Sequence, residues 1–154
     1  ETTMDRLFNS TFENSLRLLL LLDEYDMPQT LDMLYAVDFM TIYSEPFGLS
    51  EQNLNGDNDL KYSEFASQRD LVKKALKELV LNGTAEAVSY KDGLSYIITP
   101  EGEDYCGALT SEYAREYRKA AKSVINATKG KSERSLIAEI FKLGGKSYRQ
   151  EGHQ

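Results

Sequence analysis

Apolar residues recur at helical spacing along most of this chain, and the interruptions mark its elements. After Ser10-Thr11-Phe12-Glu13, leucines at 16, 18, 19, 20, 21 and 22 wrap most of a helix that runs to about Tyr25. Ser10 with Glu13 three residues later fits a capping box. A helix apolar on nearly every side is a central one, covered on more than one face. Met27-Pro28 ends it, because proline disfavours helix at the residue before it. A second helix is expected over residues 31–43, capped by Thr30, with Leu31, Leu34, Tyr35, Phe39 and Ile42 on overlapping turns. Asp38 is the odd member of that set. It either points out beside the stripe or anchors a loop. Residues 44–62 then form a connection longer than most. It either contains a short helical turn near residues 50–53 or serves a function, and Phe47, Leu49 and Leu54 predict that it packs down.

From Ser63 a clear 3.6-residue period returns in Phe65, Val72, Ala75, Leu76, Leu79 and Val80, closed by Asn82-Gly83. The period next switches to two. Residues 86–90 and 94–98 flank Lys91-Asp92-Gly93, and Asp-Gly between alternating β-formers is a strong hairpin signal. Thr99-Pro100-Glu101 starts a helix to about Ala108, since proline suits the first helical position and acids suit the positive end. A longer helix follows Thr110-Ser111-Glu112 to about Thr128, and a final short one, capped by Ser132, is stopped by Gly144-Gly145. The tail from Lys146 to Gln154 is expected to fray.

The order helix, helix, long helix, hairpin, helix is that of a winged helix-turn-helix. The fold class predicted is mainly α with a small β-hairpin wing and additional C-terminal helices. Residues 7–108 would form the winged helix-turn-helix domain with its N-terminal helices, and residues 110–143 a helical extension packed on it. A helical bundle with an incidental hairpin is the competing arrangement.

Charge changes the picture. The net charge is −7, but residues 1–60 carry twelve acids and two bases, whereas residues 101–154 carry eight acids and ten bases. An acidic N-terminal third repels a phosphate backbone, so generic nucleic-acid affinity should be poor. The acid either keeps the protein dispersed or seeks a basic protein surface. If the long helix entered DNA, its contacts would come from Gln68, Arg69, Lys73, Lys74 and Lys77, with Lys91 at the wing tip. Glu64, Asp70 and Glu78 are interspersed in the same helix, and an ordinary solvated face or a protein contact explains it equally.

The residues offer little catalytic chemistry. The one histidine, His153, lies in the tail, and Cys106 is read as a small buried hydrophobe. These two cannot fill a zinc site. Asn53, Asn55, Asp57, Asn58 and Asp59 are a dense set of oxygen donors, but the register of a calcium loop is missing, and such short polar runs serve turns. Lys129-Gly130-Lys131-Ser132 lacks the preceding glycine run of a phosphate-binding loop. Carboxylate pairs such as Asp23 with Asp26 imply no apolar pocket. No enzyme activity, cofactor or metal is expected. The longest apolar run has five residues, against about 20 for a spanning helix. The first residues carry no basic signal region, and with a single cysteine the expected compartment is the cytoplasm.

The blocks Phe8-Asn9-Ser10-Thr11-Phe12-Glu13-Asn14-Ser15-Leu16-Arg17, Leu54-Asn55-Gly56-Asp57-Asn58, Ser63-Glu64-Phe65-Ala66 and Leu76-Lys77-Glu78-Leu79-Val80 resemble the middle component of bacterial ABC-three-component systems, closest to the type called middle component 2. The likeness runs from about Leu7 to Ile140. It implies a winged-helix connector encoded between an ABC- or SMC-like ATPase and a variable effector, in a conflict or defence module. It carries over no catalytic residue. The positions it shares with the family are Asn9, Phe12, Glu13, Asn14, Arg17, Gly56, Asp57, Asn58, Ser63, Glu64, Phe65 and Arg69, serving either interface or architecture. Arg17 could pair with Glu13 one turn earlier, or reach Asp57 and pin the long loop, and the second is preferred because the loop needs an anchor. Three roles follow as expectations: an adaptor between ATPase and effector, a DNA-binding transcriptional regulator, or a domain that only homodimerises through its sixteen tyrosines and phenylalanines.

Overall fold

A computed structural model describes residues 10–54, 56, 60–91 and 93–152, with side chains as far as residue 145. Its elements are α1 (Thr11–Asp23), α2 (Leu31–Ile42), α3 (Lys61–Leu81), β1 (Ala85–Tyr90), β2 (Gly93–Ile98), α4 (Pro100–Ala108), α5 (Glu112–Ala127) and α6 (Glu133–Gly152). The protein is mainly helical with one small antiparallel hairpin.

The caps read from the sequence are in place. Ser10 Oγ accepts the Glu13 N–H at 3.1 Å, and Thr30 Oγ1 accepts the Met33 N–H at 3.1 Å. Ser111 and Thr99 cap α5 and α4 in the same way. Each satisfies an N–H that the first helical turn cannot satisfy itself. Helix α1 is central, as its leucines require: residues 18–22 are all buried. They share one apolar core with Leu34, Val37, Phe65, Val72 and Leu76, and with Tyr117, Val124, Leu136 and Ile140 from α5 and α6. Phe65 is the aromatic centre. Its ring stacks on Tyr35 at 4.3 Å between centroids, tilts against Phe39 at 4.7 Å and meets Phe141 edge-on at 5.3 Å.

The hairpin pairs Ala85 with Ile98 through Tyr90 with Gly93, and Lys91, just after β1, has φ +53°. A third short stretch joins it. Between α1 and α2, Gln29 exchanges both backbone hydrogen bonds with Tyr96, at 3.0 and 2.8 Å. A bridge from the α1–α2 link to the returning hairpin strand ties the wing to the helices, an arrangement consistent with a winged helix. Its base is tight. A Cβ on Gly102 would lie 2.1 Å from the Thr84 carbonyl oxygen, so glycine is what lets α4 close on the hairpin.

Four expectations need correction. Residues 44–62 contain a 3-10 turn, but at Glu45–Phe47, where proline fits the first turn, and not near residues 50–53. Phe47, Leu49 and Leu54 do pack down on the core. Helix α3 begins two residues before Ser63. The last helix passes through Gly144 and Gly145 to Gly152, so the glycines do not stop it and the tail is helical to that point. The reason is packing: a Cβ at Gly144 would come within 3.0 Å of Tyr62 Cβ, so the bare backbone is a contact surface between α6 and the start of α3. Finally, Asp38 neither points outward nor ties down a loop among the described residues. It turns into the core, 4% exposed. His153 lies outside the described residues.

Candidate functional site

Three places collect the residues singled out from the sequence. The first is internal. Arg17 of α1, 3% exposed, donates through Nε to Asp38 Oδ1 at 3.3 Å and through Nη2 to Asp38 Oδ2 at 3.5 Å. Tyr117 of α5 donates to the same Oδ1 at 2.6 Å, and Arg17 Nη2 also donates to Asn14 Oδ1. Three helices therefore meet on one carboxylate. Burial alone would weaken the Arg17 charge, but Asp38, with Tyr117 and Tyr113 behind it, raises its pKa above the ordinary arginine value. Burial, then Asp38, pushes the Tyr117 phenol well above its usual range. The arrangement keeps the guanidinium charged and the phenol neutral, which is architecture. Among the described residues the carboxylate that Arg17 meets is Asp38 and not Glu13; Asp57, the partner preferred from the sequence, lies outside them. Asn9 and Asn58 lie outside them too, as do Asn55 and Asp59. Gly56 is described, with φ +78°, a backbone that glycine adopts without strain.

The second place is the outer face of α3 and the wing. Lys73, Lys74 and Lys77 are exposed, and no ion pair involves them among the described residues. Arg69 is exposed but engaged, with Nε 2.7 Å from Asp32 Oδ1 at the start of α2. Gln68 lines a small cavity of about 40 Å³ beside Arg17 and Asp38, room for a water. Lys91 sits at the wing tip with Nζ 5.6 Å from the Tyr90 ring centroid. The six candidates thus divide: four face outward, one is paired and one lines the interior cavity. Of the remaining shared positions, Ser63 Oγ donates to the Leu60 carbonyl, Glu64 lines the same cavity as Gln68, and Phe65 is core.

The third place was only half visible in the sequence. Phe12 is 63% exposed at the start of α1. It borders a half-open groove of about 520 Å³ with Leu16, Leu19, Leu79, Glu78 and Tyr105. Tyr105 on α4 is 45% exposed, and Leu81, 69% exposed, projects from the last turn of α3. Glu13, the next residue after Phe12, is half-buried, and its amide donates to Ser10. Tyr105 and Leu81 went unassigned in the sequence, and Asp38 was read there as pointing outward or anchoring a loop. For Asp38 a signal existed, a carboxylate inside an apolar helical stripe. Tyr105 and Leu81 give none, because their role depends on which helices meet. Cys106, one residue beyond Tyr105, is buried, and burial, then Asp23, pushes its thiol up to about 12. Among the described residues no group of His, Cys, Asp and Glu could hold a metal ion, and no helix is long and apolar enough to cross a membrane.

Fold and sites together describe a mainly helical protein with a small hairpin, an arrangement consistent with a winged helix, whose Arg17–Asp38 pair is buried and whose α3 lysines are exposed. The family model for the ABC-three component (ABC-3C) system Middle Component 2 matches residues 7–150, and the chain belongs to that family. It is thus one component of a multi-part system, which implies protein partners. No curated protein and no solved structure matched the chain.

Proposed function

We propose that this protein is a non-enzymatic, cytoplasmic connector that joins an ABC- or SMC-like ATPase to an effector in a bacterial conflict or defence system. The observation that carries the reading is the aromatic pair Phe12 and Tyr105, exposed on the rim of an apolar groove. Large aromatic side chains left in water at a concave apolar surface are what protein interfaces use as anchors. Family membership supplies the setting, since a middle component works beside other parts. The test is co-expression of the chain with the other two components of its own system, followed by size-exclusion chromatography. A connector elutes with both partners in one complex and bridges two proteins that do not bind each other without it. Failure to bind either component defeats the reading.

A second reading, a winged-helix DNA binder, is favoured by Lys73, Lys74 and Lys77 on one exposed stretch of α3 and by the Gln29–Tyr96 bridge that fixes the wing. Against it stand Asp70 and Glu78 on the same helix and the 18 residues between α2 and α3, where helix-turn-helix proteins have about 3–4. Titration with duplex DNA at two salt concentrations separates the readings, because phosphate binding collapses as salt rises.

A further inference from the structure

We infer that the groove bordered by Phe12 and Tyr105 receives one amphipathic helix of a partner protein, apolar on the face it buries and carrying a lysine or arginine against Glu78. This rests on the connector reading and says which surface it uses and what it recognises.

The groove walls are mostly helical, with Asn82 and Thr84 just past the end of α3 completing them. Thr11, Phe12, Ser15, Leu16 and Leu19 come from α1, and Glu78 and Leu79 from the end of α3. Backbone groups in the helix interiors at Ser15, Leu16, Leu19, Glu78 and Leu79 are already bonded, so these walls offer side-chain ridges and not a continuous ladder for an added strand. Thr11 to Leu19 is nine residues, about 12 Å between their ends at the helical rise, which matches two turns of an incoming helix with anchors at i, i+3 or i+4, and i+7. Leu19 and Leu79 form an apolar floor, buried to within a few per cent, while Phe12 and Tyr105 stand up at the rim. A rim of exposed aromatics over a dry floor closes on a bulky apolar side chain from outside.

Charge selects the occupant. Glu78 is the one charged side chain among the described residues lining the groove. Beside Tyr105, α4 presents Glu101, Glu103 and Asp104 to solvent and contains no lysine or arginine. The whole chain carries −7. A basic helix is drawn to this rim and an acidic one repelled. A second copy fits poorly. Helices α3 and α5 both carry an excess of basic side chains, and the apolar face of each, Val72, Ala75, Leu76 and Leu79 on α3 and Ala114, Tyr117, Ala121 and Val124 on α5, is already buried in the chain's own core.

The test uses the full chain co-expressed with the other two components of its system. A photo-crosslinking p-benzoylphenylalanine is placed at Tyr105, or at Lys73 on the outer face of α3 as the control. The inference expects crosslinks from position 105 to a helical, lysine- or arginine-containing segment of one component. It also expects that Phe12→Asp and Tyr105→Asp each weaken the complex at least about tenfold, and Glu78→Lys by a salt-dependent factor, while Lys73→Glu changes it less than about twofold. Because Phe12 and Tyr105 project into solvent, circular dichroism and thermal melting of these variants should match the parent. Crosslinking from position 73 alone, with Phe12→Asp harmless, overturns the groove assignment and leaves the connector reading standing. Crosslinks to an acidic or extended segment, or a small apolar molecule found in the groove by native mass spectrometry, also overturn it. Absence of any complex overturns both.

Discussion

Two sets of charged side chains, both carried on helices, meet opposite ends in this protein. Arg17 and Asp38 sit on α1 and α2 within the apolar stripes, and the fold draws both inside, where they close on each other and on Tyr117. Lys73, Lys74 and Lys77 sit on α3 outside the stripe of Val72, Ala75, Leu76 and Leu79, and the fold leaves them in water. The contrast separates charge that holds the architecture from charge that is free to meet something else. It also assigns the shared Asn14 and Arg17 to the first class and the shared Phe12, on the same helix, to the second. Helix α1 thus buries Asn14 and Arg17 on one face and leaves Phe12 exposed on another.

The largest effect expected lies inside. Arg17→Ala should cost about 3–5 kcal/mol, because it leaves Asp38 charged and buried without its cation. Replacing the three joined groups together, Arg17→Met, Asp38→Leu and Tyr117→Phe, so that the Tyr117 hydroxyl is not stranded, should cost less than Arg17→Ala alone, since an ion pair taken from water returns little net stability. Urea denaturation of the single and combined variants measures both. If Arg17→Ala lost under about 1 kcal/mol, as an exposed pair would, the contrast between the two regions would fail.

Next in size is the close approach at the wing base. Gly102→Ala puts a methyl group into the Thr84 carbonyl and against the Ile98 side chain. An over-packed site of this kind costs about 1–3 kcal/mol. A melting temperature equal to the parent's would show that α4 can move off the hairpin, and that the wing is less rigidly seated than its bonds at Thr99 and Gln29 imply.

Alkaline pH probes the interior from another side. Burial raises the Cys106 thiol from 9.0 to about 12 and the Tyr35 phenol from 10.0 to about 12, and it pushes Tyr117 in the same direction. The unfolded chain then releases these protons at lower pH than the folded one. The stability they contribute is complete below about pH 9 and is lost as pH rises toward 12. Each group contributes a slope of at most about 1.4 kcal/mol per pH unit within that window. Urea midpoints measured from pH 8 to 11 should fall, and Cys106→Ala should flatten the first part of the decline. A midpoint independent of pH would mean that water reaches these side chains.

Much of this was legible in the chain, because period and punctuation are local. Ser10 with Glu13, Thr30, Thr99-Pro100 and the Asp-Gly tip each act through neighbours a few residues away, and the elements they predict are present. The wing followed from a change of period between residues 82 and 98. Other features needed knowledge of what packs against what. Gly144 reads as a terminator until Tyr62 is seen against it. Arg17 has acids at several plausible distances in sequence, and only the crossing of α1, α2 and α5 selects Asp38 and adds Tyr117. Phe12 was marked by family likeness, but its partner across the groove, Tyr105, lies 93 positions away in a helix with no unusual pattern.

The smallest effect expected on stability sharpens the contrast most. Lys73, Lys74 and Lys77 touch no acid among the described residues, so replacing all three with alanine should shift stability within about 0.5 kcal/mol per site. Alanine is also the better helix former, which works against any loss. Any function these lysines have must therefore show in binding. If α3 enters DNA, the triple variant loses duplex affinity and its salt slope falls by up to about three phosphate contacts. If the protein is a connector that works through the Phe12 groove, the triple variant assembles with its partners as the parent does. A variant that kept its stability yet fell out of the complex would move the interface from the groove to the outer face of α3, and would leave Phe12 and Tyr105 exposed without a use.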